Sequence, residues 1–308
     1  MDGRAVVKRL LSRPAVSRVV TTPLRRVAPL LPAETFLRVP VVREFVVRIP
    51  ASGARFRMHS GGDDDTALLA FWHGLEGRAS RPGKPTASRP DAHTLRVLLD
   101  LGGRCQTFFD VGANVGLYAL AMATAHGELL VHAFEPAPAT FERLRRNVAL
   151  NARSNLFIHR EALAADVGTA TLHIPRRGAP LDASLLEGMR LDTDPVTVPT
   201  TTVDAFAAAH GLRVDLLKLD TEGTEDQVLA GAQATLAANA SFVVCEVLRG
   251  EPAEQRVGPM MADLGYRAFL ITASGPQAVD DVCGDPAYAE LNFLFAHRDR
   301  LGELPFRA

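Results

Sequence analysis

The sequence predicts an α/β fold: a Rossmann-like, mostly parallel sheet of seven strands with helices on both faces, preceded by an N-terminal extension. Three observations carry that expectation. From residue 91 onward, strand-like and helix-like runs alternate, as in βα units whose crossovers cover a parallel sheet. The apolar run Thr107-Phe-Phe-Asp110 leads into a Gly-rich turn, Asp110-Val-Gly112-Ala-Asn114-Val-Gly116, which opens the helix-like Leu117-Tyr-Ala-Leu-Ala-Met-Ala123. Hydrophobic residues make up 47% of the chain and aromatics only 6%, enough for a core filled by aliphatic side chains and alanine.

The elements follow in order. A helix over Ala92–Leu101 has Asp91 in the N-cap position. Strands are expected at 106–111, 128–134, 155–160, 215–219, 241–247, 266–271 and 290–296. Helices are expected near 116–125, 138–151, 203–210, 224–238 and 254–264, the second opening on Pro138 where proline suits a first turn. Residues 168–203 interrupt the rhythm with a hairpin-like stretch, Thr169–Ile174, and a polar loop. No helical run separates the last two strands, so the final one is expected to enter antiparallel. Upstream, 35–58 reads as extended pieces in which apolar residues alternate with Arg. Residues 76–90, rich in Gly, Pro, Ser and Arg, read as a linker or lid. The chain thus divides into a basic extension, 1–90, and a main domain, 91–308.

Three widely spaced cysteines, Cys105, Cys245 and Cys283, with no C-x-x-C, fit neither a disulfide framework nor a zinc cluster and suggest a reducing compartment. No run of about 18 uncharged apolar residues marks a membrane span. A signal peptide is not expected either, so the expected location is cytoplasmic. The net charge of −1 hides an asymmetry: residues 1–60 hold twelve basic side chains and three acids. Such an arm could touch nucleic acid, anionic lipid or an acidic partner, but charge runs are more often solvated faces, and no nucleic-acid partner is expected. Oligomeric state is not legible.

The turn narrows the ligand. Glycines let backbone approach a ligand that a Cβ would push away. Nineteen residues past Gly116, the run Leu129–Phe134 ends in Glu135-Pro136, where a carboxylate can accept from both ribose hydroxyls. NAD would put its pyrophosphate at the helix N-terminus, where Asp110 would repel it. S-adenosylmethionine carries an ammonium and a sulfonium and no phosphate, and Asp110 could hold the ammonium. G-x-N-x-G also lacks the middle glycine of the dinucleotide fingerprint. The residues therefore favour S-adenosylmethionine; the plain alternative is an ordinary strand-to-helix turn with a surface Glu.

The ordered motifs resemble those of the FkbM-type methyltransferases. The matching segments are Phe109–Tyr118, Ala133-Phe-Glu-Pro136, Phe141–Asn151, Glu161-Ala-Leu163, Thr201-Thr-Val-Asp204, Asp215–Gly223, Cys245-Glu-Val247 and Asn292-Phe-Leu-Phe295. Together they cover roughly residues 91 to 297, with Thr221 where the family often has Val. The resemblance implies a class I methyltransferase that moves a methyl group from S-adenosylmethionine to an oxygen of a small molecule, often a sugar or macrolide-like natural product. By carry-over, Asp110, Gly112, Asn114 and Gly116 would cradle the methionine end, Glu135 would take the ribose hydroxyls, and Glu161 and Ala162 would border the adenine.

An alcohol is a poor nucleophile while it keeps its proton, so a base or a metal should assist. Asp220, near the end of the fourth strand, and Glu246, ending the fifth, are the candidates. Together they could bind a divalent cation such as Mg²⁺, or one could take the acceptor's proton; no histidine joins them in sequence, which favours the proton. Asp220 could also be a turn or N-cap residue. Glu222 and Glu225 read as acids in a helix first turn, Lys218 as a structural ion-pair partner, and His132 as a core histidine. His73, beside Trp72, reads as a packed pair. Two rival functions remain: an NAD-dependent oxidoreductase, for which no Tyr-x-x-x-Lys is present, and a non-catalytic binding protein that keeps the fold.

Overall fold

A computed structural model of the chain describes residues 14–24, 42–50, 52–61, 75, 92–175, 183–186, 192–287 and 290–306. Asp91, Trp72, His73 and the 76–90 linker lie outside the described residues. In chain order the elements are α1 (Pro14–Leu24), β1 (Val42–Arg48), β2 (Arg55–Gly61), α2 (Ala92–Gly102), β3 (Thr107–Val111), α3 (Leu117–Ala125), β4 (Leu130–Phe134), α4 (Pro138–Ala149), β5 (Leu156–His159), β6 (Ala162–Leu163), β7 (Gly168–Pro175), β8 (Thr193–Thr201), α5 (Val203–His210), β9 (Leu216–Leu219), α6 (Glu225–Ala230), α7 (Gln233–Asn239), β10 (Phe242–Glu246), α8 (Pro252–Asp263), β11 (Tyr266–Thr272), β12 (Gly275–Val279) and β13 (Asn292–His297).

The main sheet has the order β12-β11-β13-β10-β9-β3-β4-β5. β5, β4, β3, β9 and β10 are parallel, and β13 is inserted antiparallel between β10 and β11. All seven expected strands are therefore present, with the last one reversed. An eighth, β12, hairpins onto β11 at the edge. The chain runs outward from β3 through β4 to β5, then returns to lay β9 on the other side of β3. Strand order thus reverses between β3 and β9, and the crevice outside their carboxyl ends is where such sheets bind ligands.

Alternation sends the side chains to two cores. Phe108, Leu216, Phe242 and Val244 pack on one face with α2 and α3, whereas Phe109, Leu217, Val243 and Cys245 pack on the other with α5, α6 and α8. The β1–β2 hairpin covers the first core: Phe45, Val47, Ile49, Phe56 and Met58 point inward between exposed neighbours. Two asparagines of the α4 segment secure it. Asn147 Oδ1 accepts from the His59 amide at 2.8 Å, and Asn151 Oδ1 accepts from the Arg57 amide at 2.7 Å.

The 168–203 interruption is a small sheet of its own, order β6-β8-β7, with β7 and β8 antiparallel along their whole length. β8 was legible only as polar loop because Pro195 and Pro199 interrupt its pattern. The helix expected over 224–238 is two helices. They part at Gly231, whose Cα lies so close to the Ala164 carbonyl that a side chain there would collide with backbone.

Candidate active site

The turn after β3 is built by hydrogen bonds that converge on two carboxylates. Gly112 and Gly116 have φ of 78° and 87°, and Asn114 has φ of 52°, all in the left-handed region. A Cβ on Gly112 would be driven into the Asp220 carbonyl oxygen, so the turn and the β9–α6 loop touch backbone to backbone. A Cβ on Gly116 would stand 2.5 Å from Leu144 Cδ1 of α4. Asn147 Nδ2 donates to the Val115 carbonyl at 2.9 Å and holds the turn from below.

Asp110 is fully buried at the end of β3. Its Oδ2 accepts from the Ala119 amide at 3.0 Å, one of the donors that a helix start leaves unmatched. Its Oδ1 is buried with no partner. Burial raises this carboxyl to about 6, with Lys218 opposing the rise and Asp220 adding to it. Glu135 is also buried: Oε2 accepts from the Asn114 amide at 2.9 Å and Oε1 from the Ala137 amide at 2.8 Å. Burial pushes it up to about 7, the two amides pulling the other way. The Asn114 side-chain oxygen is a second buried acceptor left open. Sequence reasoning gave Asp110 and Glu135 ligand roles and missed that each first ties the turn together.

Across the switch point, register sets Lys218 directly beside Asp110 on β3 and Val244 on β10. Lys218 is 1% exposed, and its Nζ lies 2.7 Å from Asp220 Oδ2 and 4.5 Å from the Tyr118 ring centre. Burial works against the ammonium, but Asp220 and Asp110 outweigh it and its pKa rises. Asp220 itself is partly open, its side chain 33% exposed. Its amide donates to the Val111 carbonyl at 3.1 Å, so it belongs to the strand end; Thr224, not Asp220, stands at the N-cap of α6.

Carboxylate oxygens of Asp220, Glu222 and Glu246 lie within 4.8 Å of one another. Burial and these neighbours push Glu246 well above the usual carboxylate range. Glu222 is the residue that sequence reasoning assigned to a helix first turn. It lies outside α6 with φ of 55°, a left-handed conformation that Gly223 after it helps the loop reach. Glu225 does open α6, but it is fully buried: its Oε1 accepts from the Thr221 amide at 2.7 Å, the Thr221 hydroxyl at 3.0 Å and the Gly223 amide at 3.3 Å. Its other oxygen has no partner, and burial raises its pKa. Ser184, between β7 and β8, donates from its hydroxyl to the Glu222 carbonyl at 2.7 Å. Nothing in the sequence announced that contact, because it joins residues 38 apart across two sheets.

Glu161 and Ala162 follow β5, the strand beside β4, and Ala162 opens β6; Glu161 is partly exposed with its pKa raised by burial, and Ala162 is buried. His132 is a core histidine as expected. It stacks between Phe157 and His159, meets His159 at 3.1 Å, and is pushed down to about 4 by burial and by His210.

The set resolves into two adjoining parts. One is a glycine-backed cup with buried, unsatisfied acceptor atoms; the other is a carboxylate group around one buried ammonium. Nucleophile–histidine pairs are not part of it.

The chain is similar in sequence to known methyltransferases. The profile of the family described as "Methyltransferase FkbM domain" matches residues 110–268. The 31-O-demethyl-FK506 methyltransferase FkbM of Streptomyces tacrolimicus is 27% identical over 192 residues, covering 54% of this chain and 73% of that protein. Methyltransferase 1 of Beauveria bassiana is 29% identical over 140 residues, 40% of this chain and 56% of that protein. The hexuronic acid methyltransferase AglP of Haloferax volcanii is 27% identical over 163 residues, 53% of this chain and 64% of that protein. Among solved structures, the methyltransferase FkbM of Methylobacillus flagellatus KT aligns with a TM-score of 0.42 at 15% identity, over 62% of this chain and 43% of that one. The match over half of the chain, from the β3 turn to β11, settles the assignment: the chain belongs to the FkbM methyltransferase domain family.

Proposed function

We propose that the protein transfers a methyl group from S-adenosylmethionine to a hydroxyl oxygen of a small molecule such as a sugar or another natural product. The observation that carries this reading is the junction of cup and carboxylates at the switch point. Asp110 accepts from Ala119 at the start of α3, Glu135 accepts from Asn114 within the turn, and Gly112 meets Asp220 backbone to backbone.

The residues suit the donor. The unpartnered Asp110 Oδ1 would take its ammonium, and the second lone pairs of the Glu135 oxygens would take ribose hydroxyls. Glu161 and Ala162 would border its adenine. When bound, the donor supplies a methyl group on an activated sulfonium. The chain's own work is then alignment, which can lower a barrier by several kcal/mol, and management of the acceptor proton. Lys218 occupies Asp220 Oδ2 and leaves Oδ1 for an acceptor hydroxyl; Glu246 stands beside it as a second proton acceptor. The name of the Streptomyces relative supports an oxygen acceptor.

Asp220, Glu222 and Glu246 also have a spacing that a divalent cation such as Mg²⁺ could use. The buried Lys218 ammonium already supplies a positive charge at Asp220, which works against a further cation there.

The test is a screen of hydroxylated acceptors with methyl-labelled donor, with and without a chelator. Label in an ether product at a chelator-insensitive rate supports the reading. Stabilisation of the protein by NAD and not by S-adenosylmethionine would refute it.

A further inference from the structure

We propose that Lys218 is a positioning residue that anchors the Asp220 carboxylate away from the donor's sulfonium and so reserves it for the acceptor. The inference rests on the methyl-transfer reading above.

A carboxylate within reach of the transferred methyl group is also within reach of the cationic sulfur. Left alone it would pair with that sulfur, because opposite charges attract strongly where water is excluded. Such pairing stabilises the donor before reaction and turns the carboxylate from the oxygen it should deprotonate. Interactions made equally or better in the ground state do not speed chemistry.

The structure supplies a competing cation in a fixed place. Lys218 projects from β9 on the same sheet face as Asp110, its in-register neighbour, and under the Tyr118 ring of α3. At 1% exposed, the ammonium lies behind Asp220, whose side chain is 33% exposed. The 2.7 Å contact therefore pulls Oδ2 toward the sheet. Alternation along β9 places Lys218 and Asp220 on one side, so the pair forms without distorting the strand. The Asp220 backbone is fixed too, by its amide bond to Val111 and its contact with Gly112. A surface ion pair would break and re-form; this one is held by its surroundings.

The experiment compares two ligands that differ only at sulfur: S-adenosylmethionine, and S-adenosylhomocysteine with its neutral thioether. Their Kd values are measured by calorimetry at pH 8 for the wild type, Lys218→Met and the double variant Lys218→Met/Asp220→Asn. Freed from Lys218, Asp220 should turn to the sulfonium, so Lys218→Met should raise the ratio Kd(homocysteine form)/Kd(methionine form) by about tenfold. Lys218→Met/Asp220→Asn, which removes both charges, should bring it back to near the wild-type value. A general loss of structure weakens both ligands alike and leaves the ratio unchanged. An unchanged or lowered ratio in Lys218→Met overturns the proposal. If that variant does not fold, the double variant decides, and a ratio severalfold below the wild type there overturns the proposal, because Asp220 would then already pair with the sulfur in the wild type. Failure of the wild type to bind either ligand would instead overturn the methyl-transfer reading, and this inference with it.

Discussion

Replacing Gly112 by alanine should damage stability and donor binding together, because one hydrogen atom separates the cup from the β9–α6 loop. Gly112 has φ of 78°, where a side chain costs about 1–2 kcal/mol. The added Cβ would also be driven into the Asp220 carbonyl, which is backbone and cannot rotate aside. Forcing a methyl group into a packed site costs a further 1–3 kcal/mol or about that. The expected loss is about 2–5 kcal/mol, a fall in Tm of roughly 3–8 °C for a chain of this size. Relief can come only by pushing β3 and β9 apart at their carboxyl ends, which moves Asp110 relative to Lys218 and Asp220. The rise in Tm that S-adenosylmethionine gives the wild type should therefore disappear. Scanning fluorimetry with and without donor measures both effects. Gly127→Ala is the control, since nothing lies within 4 Å of its added Cβ. If Gly112→Ala melts with that control and keeps its response to donor, the account of the turn is wrong.

Asp110→Asn should fold, because an amide oxygen can still accept from Ala119, yet it should bind S-adenosylmethionine at least about tenfold more weakly in calorimetry. Ser184→Ala leaves the Glu222 carbonyl without its side-chain donor and should cost about 1–3 kcal/mol in denaturant unfolding. The stability that two buried acids contribute should fall between about pH 4 and 7. Asp110 and Glu135 are raised from 3.8 and 4.5 to about 6 and about 7 in the folded protein. Their contribution is thus full below those unfolded values and lost as pH climbs through the folded ones. His132 and His159, lowered from 6.5 to about 4, act in the other direction and cost stability as pH falls below 6.5. Across about pH 4 to 7 the two trends oppose each other, so Glu135→Gln, which removes one of the acids, should tilt the profile of melting temperature toward a steeper rise with pH; an unchanged profile in that variant would contradict the linkage.

Much of this architecture was written in local pattern. The parallel strands are short apolar runs bounded by turns, and the glycine series after β3 needs no distant information. The reversed final strand followed from the missing helix before it. What escaped depended on contacts between distant segments. β8 carries prolines that edge pairing tolerates but a pattern search rejects. The break between α6 and α7 comes from Ala164, far off in sequence, pressing on Gly231. Glu222 looked like a helix acid because its left-handed backbone is imposed by the loop around it. Lys218 was legible as an ion-pair former, but its place behind Asp220 required the β3–β9 register.

The two-stranded flap ahead of α2 has a practical bearing on any shortened version of this chain. Its five inward side chains are the outer wall of the compartment that houses α2 and α3. Cutting within it would leave that wall open to water and invite self-association. A truncation meant to probe the arginine-rich leader should therefore stop short of Pro14, because α1 packs on this flap through Leu24 and the hydrogen bond from Arg43 to the Thr22 hydroxyl; a change in behaviour then reports on the leader's charge and not on a breached interior.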